Sequence, residues 1–360
     1  MGNGVYMYSI KDNQATKIER VTFSDLKMTE NDIEEILRCN INMLCDEEES
    51  LLIVGRQVKN EKNGRSDLTA VDNNGNIVLI EIKRDKKDIE NRKEAFEFQA
   101  IRYAASYAKI ESPDELVKLV YAPYIEKYKG EFEIGELTSY ELGIRKLNKF
   151  LEANDVINFN EKQRIILAAG EYDEQTLSAV AWLNKNSVDM GCYKLTPYPI
   201  NGETIIKAEK VLPLAKYTDY YVNLMDNTTR YVSKREKAIT RRVLPKIEDM
   251  LLWGAVKAGD IIKAKDYGAE AVLLKNGNVL AAPTKILKIE RLSADDKSIP
   301  MQNGVATEMS MQTWLKDVYG WSSIQTYNFA VHKESGKTLS QIREEYMEKL
   351  AKETDDTVDQ

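Results

Sequence analysis

The sequence predicts an α/β protein in which helices flank a mixed β-sheet, followed by a small α+β domain at the C-terminus. Three observations predict it. Two β-rich runs, Ser66 to Val71 and Ile77 to Ile82, flank Asp72-Asn73-Asn74-Gly75-Asn76 and read as a hairpin with glycine at the left-handed position of a short loop. Strand-like and helix-like periods then alternate as far as Leu212, which suggests one sheet being extended. After a stretch around Thr218 to Val232 the pattern changes to a helix and several very short strands.

In chain order, Thr29 to Asp46 reads as a helix: Thr29 can cap it, and Ile33, Ile36, Leu37, Ile41 and Leu44 form one apolar stripe. At about 100° per residue Glu35 points away from that stripe, while Glu30 and Glu34 flank it and can reach inward. Leu51 to Val58 reads as a strand, and the hairpin follows. If Asp72 pairs with Asn76, Asp67 stands opposite Glu81, and like charges at directly opposed positions destabilise a sheet. Glu81 and Lys83 share a face by the two-residue period, with Val78, Ile80 and Ile82 on the other. A divalent cation would offset the repulsion, and hard oxygen ligands suit Mg²⁺ or Mn²⁺. The bland alternative is a surface hairpin with a salt bridge from Lys83. Glu90 to Ala108 reads as a helix on which Gln99 and Tyr103, four apart, share a face.

Further on, Ser112 to Lys129 and Leu137 to Asn154 look helical, Arg164 to Ala169 β-like, Glu174 to Asn184 helical, and Met190 to Leu195 and Glu203 to Leu212 β-like. Trp182 lies on an apolar helix face and is expected in the core. In the C-terminal third, a leucine-rich helix at Leu251 precedes strands at Ala271 to Leu274 and Val279 to Ala282 around an Asn276-Gly277 turn. A helix from Ser310 to Val318 leads to Gly320-Trp321. At least two of Trp253, Trp314 and Trp321 are expected to fill a core.

The order of a helix with Glu, a strand, a hairpin carrying Gly64-Arg65-Ser66-Asp67-Leu68 and then Glu81-Ile82-Lys83, and a helix with Gln99-x-x-x-Tyr103 resembles the PD-(D/E)XK nuclease superfamily, more narrowly its NucS-like branch. Ser66 stands where the superfamily's name has proline. The resemblance implies a restriction-endonuclease-like sheet, Asp67 and Glu81 as metal ligands with the Ile82 carbonyl as a third, and Lys83 orienting the attacking water. It also implies Gln99 and Tyr103 positioning the phosphate strand, and a helical carboxylate that maps best to Glu34 and less closely to Glu30. The segment from about Arg235 to Glu345, with Gly-x-x-x-x-Gly-Asp at Gly254 to Asp260, resembles the RAMA domain found beside DNA methylases and restriction nucleases, though Tyr319 precedes the Gly-Trp pair where Asn is usual.

The domains are accordingly 1–222 nuclease-like, 223–234 linker, 235–347 RAMA-like and 348–360 a disordered acidic tail. The expected function is Mg²⁺- or Mn²⁺-dependent endonucleolytic cleavage of DNA in restriction or phage defence. The alternatives are a catalytically silent reader of DNA modification and a mismatch-repair nuclease of the NucS type. Net charge is −7, which opposes phosphate binding unless basic residues cluster. Lys234, Arg235, Lys237, Arg241, Arg242 and Lys246 form such a segment, and Arg56, Lys62, Arg65 and Arg84 lie near the hairpin. DNA is therefore the expected partner, with a homodimer and a methylase or other defence component as further candidates.

No apolar run approaches a membrane span and no signal-peptide core opens the chain, so the expectation is a cytoplasmic protein without a membrane partner. Cys39, Cys45 and Cys192 lack metal-ligand spacing and read as reduced packing residues. The single histidine, His332, excludes His-based zinc sites and ordinary Ser-His-Asp triads.

Overall fold

A computed structural model of the protein describes residues 7–59, 64–90, 94–213, 244–282 and 306–355. The chain divides into two compact units, one of Met1–Pro213 with Trp321–Ile324 and one of Leu214–Gly320 with Gln325–Gln360.

The first unit opens with a hairpin that sequence reading passes over, β1 (Met7–Lys11) and β2 (Gln14–Ile18). Its turn residues Asp12 and Asn13 both have positive φ, 51° and 61°, which the right-handed twist of a two-residue hairpin favours. Helix α1 (Glu30–Cys39) starts as expected: the Asp32 N–H donates to Thr29 Oγ1 at 3.3 Å, and the Thr29 N–H donates back to Asp32 at 2.7 Å. It stops at Asn40 instead of Asp46, because Asn40 leaves helical φ and its side chain donates to the Ile36 carbonyl at 3.0 Å. A single tight turn, Ile41–Met43, still buries Ile41 and Leu44, so the apolar stripe survives the break.

Six strands form one mixed sheet in the order β3-β4-β5-β6-β7-β8, comprising β3 (Leu51–Lys59), β4 (Arg65–Asp72), β5 (Ile77–Lys83), β6 (Arg164–Ala169), β7 (Met190–Ile200) and β8 (Glu203–Leu212). The β4–β5 hairpin has the expected register: Val71 faces Ile77 and Leu68 faces Ile80, with the Asp72 N–H donating to the Asn76 carbonyl at 3.0 Å. Gly75 takes φ +79° in the loop, where a Cβ would also meet Val156 at 2.5 Å. Strands β5, β6 and β7 run parallel, the crossover from β6 to β7 being made by a helix over Glu174–Lys185. The sequence after the hairpin therefore extends the same sheet.

Between β5 and β6 lie α2 (Lys86–Glu90), α3 (Phe96–Tyr107), α4 (Pro113–Leu116), a wider turn at Val117–Tyr121, α5 (Ala122–Lys127) and α6 (Ser139–Ala153). The helix expected over Glu90 to Ala108 is α3 and begins only at Phe96; Glu90 is the last residue of α2, and 91–93 lie outside the described residues. The one expected over Ser112 to Lys129 is continuous and accommodates Pro123 in the first turn of α5, just after the widened turn. Helix α7 (Glu174–Lys185) connects β6 to β7.

The second unit has α8 (Ile247–Leu252), β9 (Ile261–Ala264), β10 (Glu270–Leu273), β11 (Val279–Ala281), β12 (Thr307–Met309), α9 (Met311–Tyr319), α10 (Thr326–Phe329), β13 (Ala330–His332) and α11 (Leu339–Asp355). Its antiparallel sheet has the order β12-β11-β10-β9-β13. Gly277 turns the β10–β11 hairpin at φ +82°, and Gly320 ends α9 at φ +68°. Trp314 is buried here, and Trp253 stacks on Tyr346 with ring centroids 5.4 Å apart. Trp321, expected in the same small core, is instead buried in the first unit against Phe150, and Trp253 is half-buried, so of the three only Trp314 is fully buried in the second unit. Helix α11 carries the chain through 348–355, where a disordered tail was expected, because Glu, Lys, Leu and Ala there are strong helix formers. The expected linker and Lys62, Lys234, Arg235, Lys237, Arg241 and Arg242 lie outside the described residues. Among the described residues no helix is long and apolar enough to cross a membrane.

Candidate active site

Extending the β4–β5 register by one pair sets Asp67 opposite Glu81. The surroundings are not those of a surface hairpin. Glu81 is fully buried, Asp67 is 8% exposed, and every residue of β5 except Lys83 is buried. Asp67 Oδ2 accepts a hydrogen bond from the Ile82 N–H at 2.7 Å. Among the described residues neither carboxylate oxygen of Glu81 has a hydrogen bond of ordinary geometry, the Asp67 backbone N–H being the group that eases its charge.

Those surroundings set the electrostatics. Loss of water pushes the Asp67 carboxyl up to about 7, against the lowering effects of the Lys83 charge and the Ile82 N–H. Burial first, and the neighbouring Asp67 charge second, drive Glu81 well above the usual carboxylate range. Two acids that resist ionisation at adjacent positions are a common mark of a functional site. Lys83 supplies the counter-charge: its ammonium donates to the Ile82 carbonyl at 3.0 Å, stands 3.5 Å from Glu30 and lies 5.7 Å from the centre of the Phe96 ring.

Helix α1 contributes its two flanking acids differently. Glu34 is buried and already paired, accepting from Arg56 Nε at 3.1 Å and Gln57 Nε2 at 2.9 Å. Glu30 is the one that meets Lys83. Arg56, expected to face DNA, instead bonds Glu34, Glu35, the Tyr128 hydroxyl and the Asn31 carbonyl. Its side chain is only 13% exposed, so its charge is committed to tying α1 to β3. Arg65 is exposed at the start of β4, and Arg84 is partly exposed and paired with Asp88 at 3.1 Å.

Helix α3 brings the expected pair to the same edge. The Arg65 N–H donates to the Tyr103 hydroxyl at 3.1 Å, and Gln99 Nε2 approaches that hydroxyl at 3.5 Å. One turn further along, Tyr107 was not foreseen, although the four-residue spacing continues to it. Its buried hydroxyl bonds Ser66 Oγ at 2.9 Å and Thr69 Oγ1 at 2.7 Å, clamping the strand on both sides of Asp67. Trp182 corrects the sequence reading: it is 64% exposed, because the buried side of α7 is formed by Thr176 and Val180.

The two carboxylates and the Ile82 carbonyl are oxygen donors of the kind a hard divalent cation takes. The orphaned oxygens of Glu81 are the strongest sign, since a buried acceptor without a partner costs roughly 1–3 kcal/mol and more when charged. Lys83 now partly occupies the Ile82 carbonyl, holding positive charge at the same corner. Among the described residues no group of three or more His, Cys, Asp or Glu side chains gathers where it could hold a metal ion.

Compared with known proteins, the chain matches no family model, no curated protein and no solved structure.

Proposed function

We propose that the protein is a metal-dependent endonuclease that hydrolyses DNA phosphodiester bonds, with a restriction-endonuclease-like first unit and a RAMA-like second unit that selects the DNA, in a restriction or antiviral defence setting. The observation that carries this reading is the fully buried Glu81, whose carboxylate oxygens lack an ordinary hydrogen bond among the described residues, opposite Asp67 and beside Lys83. A sheet that only needed stability would place apolar residues at those positions.

Asp67, Glu81 and the Ile82 carbonyl would hold the ion. When bound, it supplies charge to polarise the phosphate and makes a bound water more acidic. The Lys83 ammonium, freed from the Ile82 carbonyl, would orient the attacking water and meet the charge that develops on the phosphate oxygens. Gln99 and the Tyr103 hydroxyl, at the start of β4, hold the scissile strand. Glu30 is the helical acid placed to hold or accept a proton next to Lys83, because Glu34 is engaged by Arg56.

The test is incubation with Mg²⁺ or Mn²⁺ and a panel of modified and unmodified duplexes, single strands and RNA. The expected result is metal-dependent cleavage of DNA that disappears in Glu81→Gln. Cleavage that persists in that variant, or is absent from the whole panel, overturns the reading.

A further inference from the structure

Away from the candidate active site, the outer faces of α3 and α7 enclose a groove of about 620 Å³. Its walls are Phe98 and Ile101 on α3 and Ala179, Trp182 and Leu183 on α7. Phe98 is 60% exposed and Trp182 64%, and each is a residue that folding alone would bury. Exposed aromatics around a shared depression are more typical of a contact surface than of a free one, and Trp is the residue most enriched among those that dominate binding.

The face is built to match itself. On α7 the outward positions are Glu174, Gln175, Ser178, Ala181, Trp182 and Lys185, which places one large knob beside small residues on a single stripe. The starts of the two helices meet: the Thr176 hydroxyl near the start of α7 donates to Glu97 near the start of α3 at 3.2 Å, and Glu97 lines the groove together with Glu174. That end is acidic, whereas α7 finishes on exposed Lys185. Turning a second copy by a two-fold axis across the helices would lay each Trp182 towards the other's groove and each Lys185 beside the other's Glu174. The opposite ends of the helix dipoles would then also lie side by side. Two-fold interfaces of this kind are the commonest way in which soluble chains pair.

We propose that the α3–α7 face is where two copies of this chain associate as an antiparallel, two-fold dimer, with Trp182 as the central anchor. The proposal is independent of the nuclease reading, and its test uses no cleavage assay. Sedimentation of the full chain over a concentration series should show a reversible monomer–dimer equilibrium with Kd on the order of micromolar or tighter, within the range of standard-size interfaces. Trp182→Ala should weaken it at least tenfold, as expected for an anchor residue. Lys185→Glu should weaken it too, and combining Lys185→Glu with Glu174→Lys should restore it, which a generally sticky surface would not show. All three positions are exposed, so circular dichroism should be unchanged. A chain that stays monomeric throughout overturns the proposal and leaves the face to a different protein partner. So does a dimer indifferent to Trp182→Ala, or a charge swap that fails to rescue.

Discussion

The Lys83 ammonium donates to the carbonyl of Ile82, the residue next to Glu81, at 3.0 Å. The protein's own cation is thereby parked where a metal's third ligand is expected, and its charge eases the ionisation of Asp67 and Glu81, which burial opposes. Replacing Lys83 separates the two roles. Lys83→Ala should abolish cleavage while leaving Mn²⁺ affinity, read by calorimetry, within a few-fold of the parent, because an ammonium cannot ligate a cation. It should also move the Asp67 carboxyl further above about 7, since the Lys83 charge lowers it. Loss of metal binding together with activity would refute the assignment.

Stability should depend on pH in a defined direction. Asp67 titrates near 7 when folded and near 4 when unfolded, so the folded chain keeps a proton that the unfolded chain releases. The metal-free protein should therefore be most stable below pH 4 as far as this group is concerned, and lose roughly a few kcal/mol between about pH 4 and pH 7. Glu81 shifts the same way and extends the loss to higher pH. Urea unfolding of an Asp67→Asn, Glu81→Gln double variant should lack this slope, and an unchanged slope would place its origin elsewhere.

Metal should reverse that trend. Binding requires both acids to ionise, so Mg²⁺ or Mn²⁺ should raise the melting temperature more at pH 8 than at pH 6 and release protons on titration. Glu81→Gln should eliminate the gain, and removal of the ion with EDTA should return the parent to its starting point.

Arg56 supplies a contrast between stability and binding. Its loss would leave Glu34, 3% exposed, as an uncompensated buried acid, a defect that costs about 3–5 kcal/mol where a buried pair is broken. Arg56→Met should therefore lower the urea midpoint markedly. The salt dependence of DNA binding should stay the same, whereas Arg65→Ala should flatten it by about one log–log unit if that exposed side chain meets a phosphate.

The hairpin that carries the site was legible in the sequence because two local signals agreed, an Asp-x-x-Gly loop and a two-residue alternation, and together they fix which residues face each other. The environment was not legible. Alternation says that Glu81 shares a face with Lys83, but its complete burial depends on the helices that pack over β5 from distant parts of the chain. The helical acids show the same limit. The wheel admits both Glu30 and Glu34, and only the Arg56 side chain, arriving from β3, decides which is already paired. Trp182 was misread because apolar neighbours in sequence say nothing about which side of a helix a sheet will cover.

Strand β3 stands at the edge of the six-stranded sheet, and its free side is finished by Ser322 and Ser323. The Leu51 N–H donates to the Ser323 carbonyl at 3.2 Å, the Ser323 N–H donates to the Leu51 carbonyl at 2.9 Å, and the Ile53 N–H reaches Ser322 Oγ at 3.0 Å. Spatial order and synthetic order therefore disagree. A ribosome delivers all six strands by Leu212 but withholds the residues that close their border until more than a hundred positions later. During that interval the nascent sheet carries an open strand able to pair with any extended neighbour, and a protein cut near Val232 would carry it permanently. The short segment Trp321–Ile324 is in this respect a late-arriving fastener for the first unit, to which it belongs.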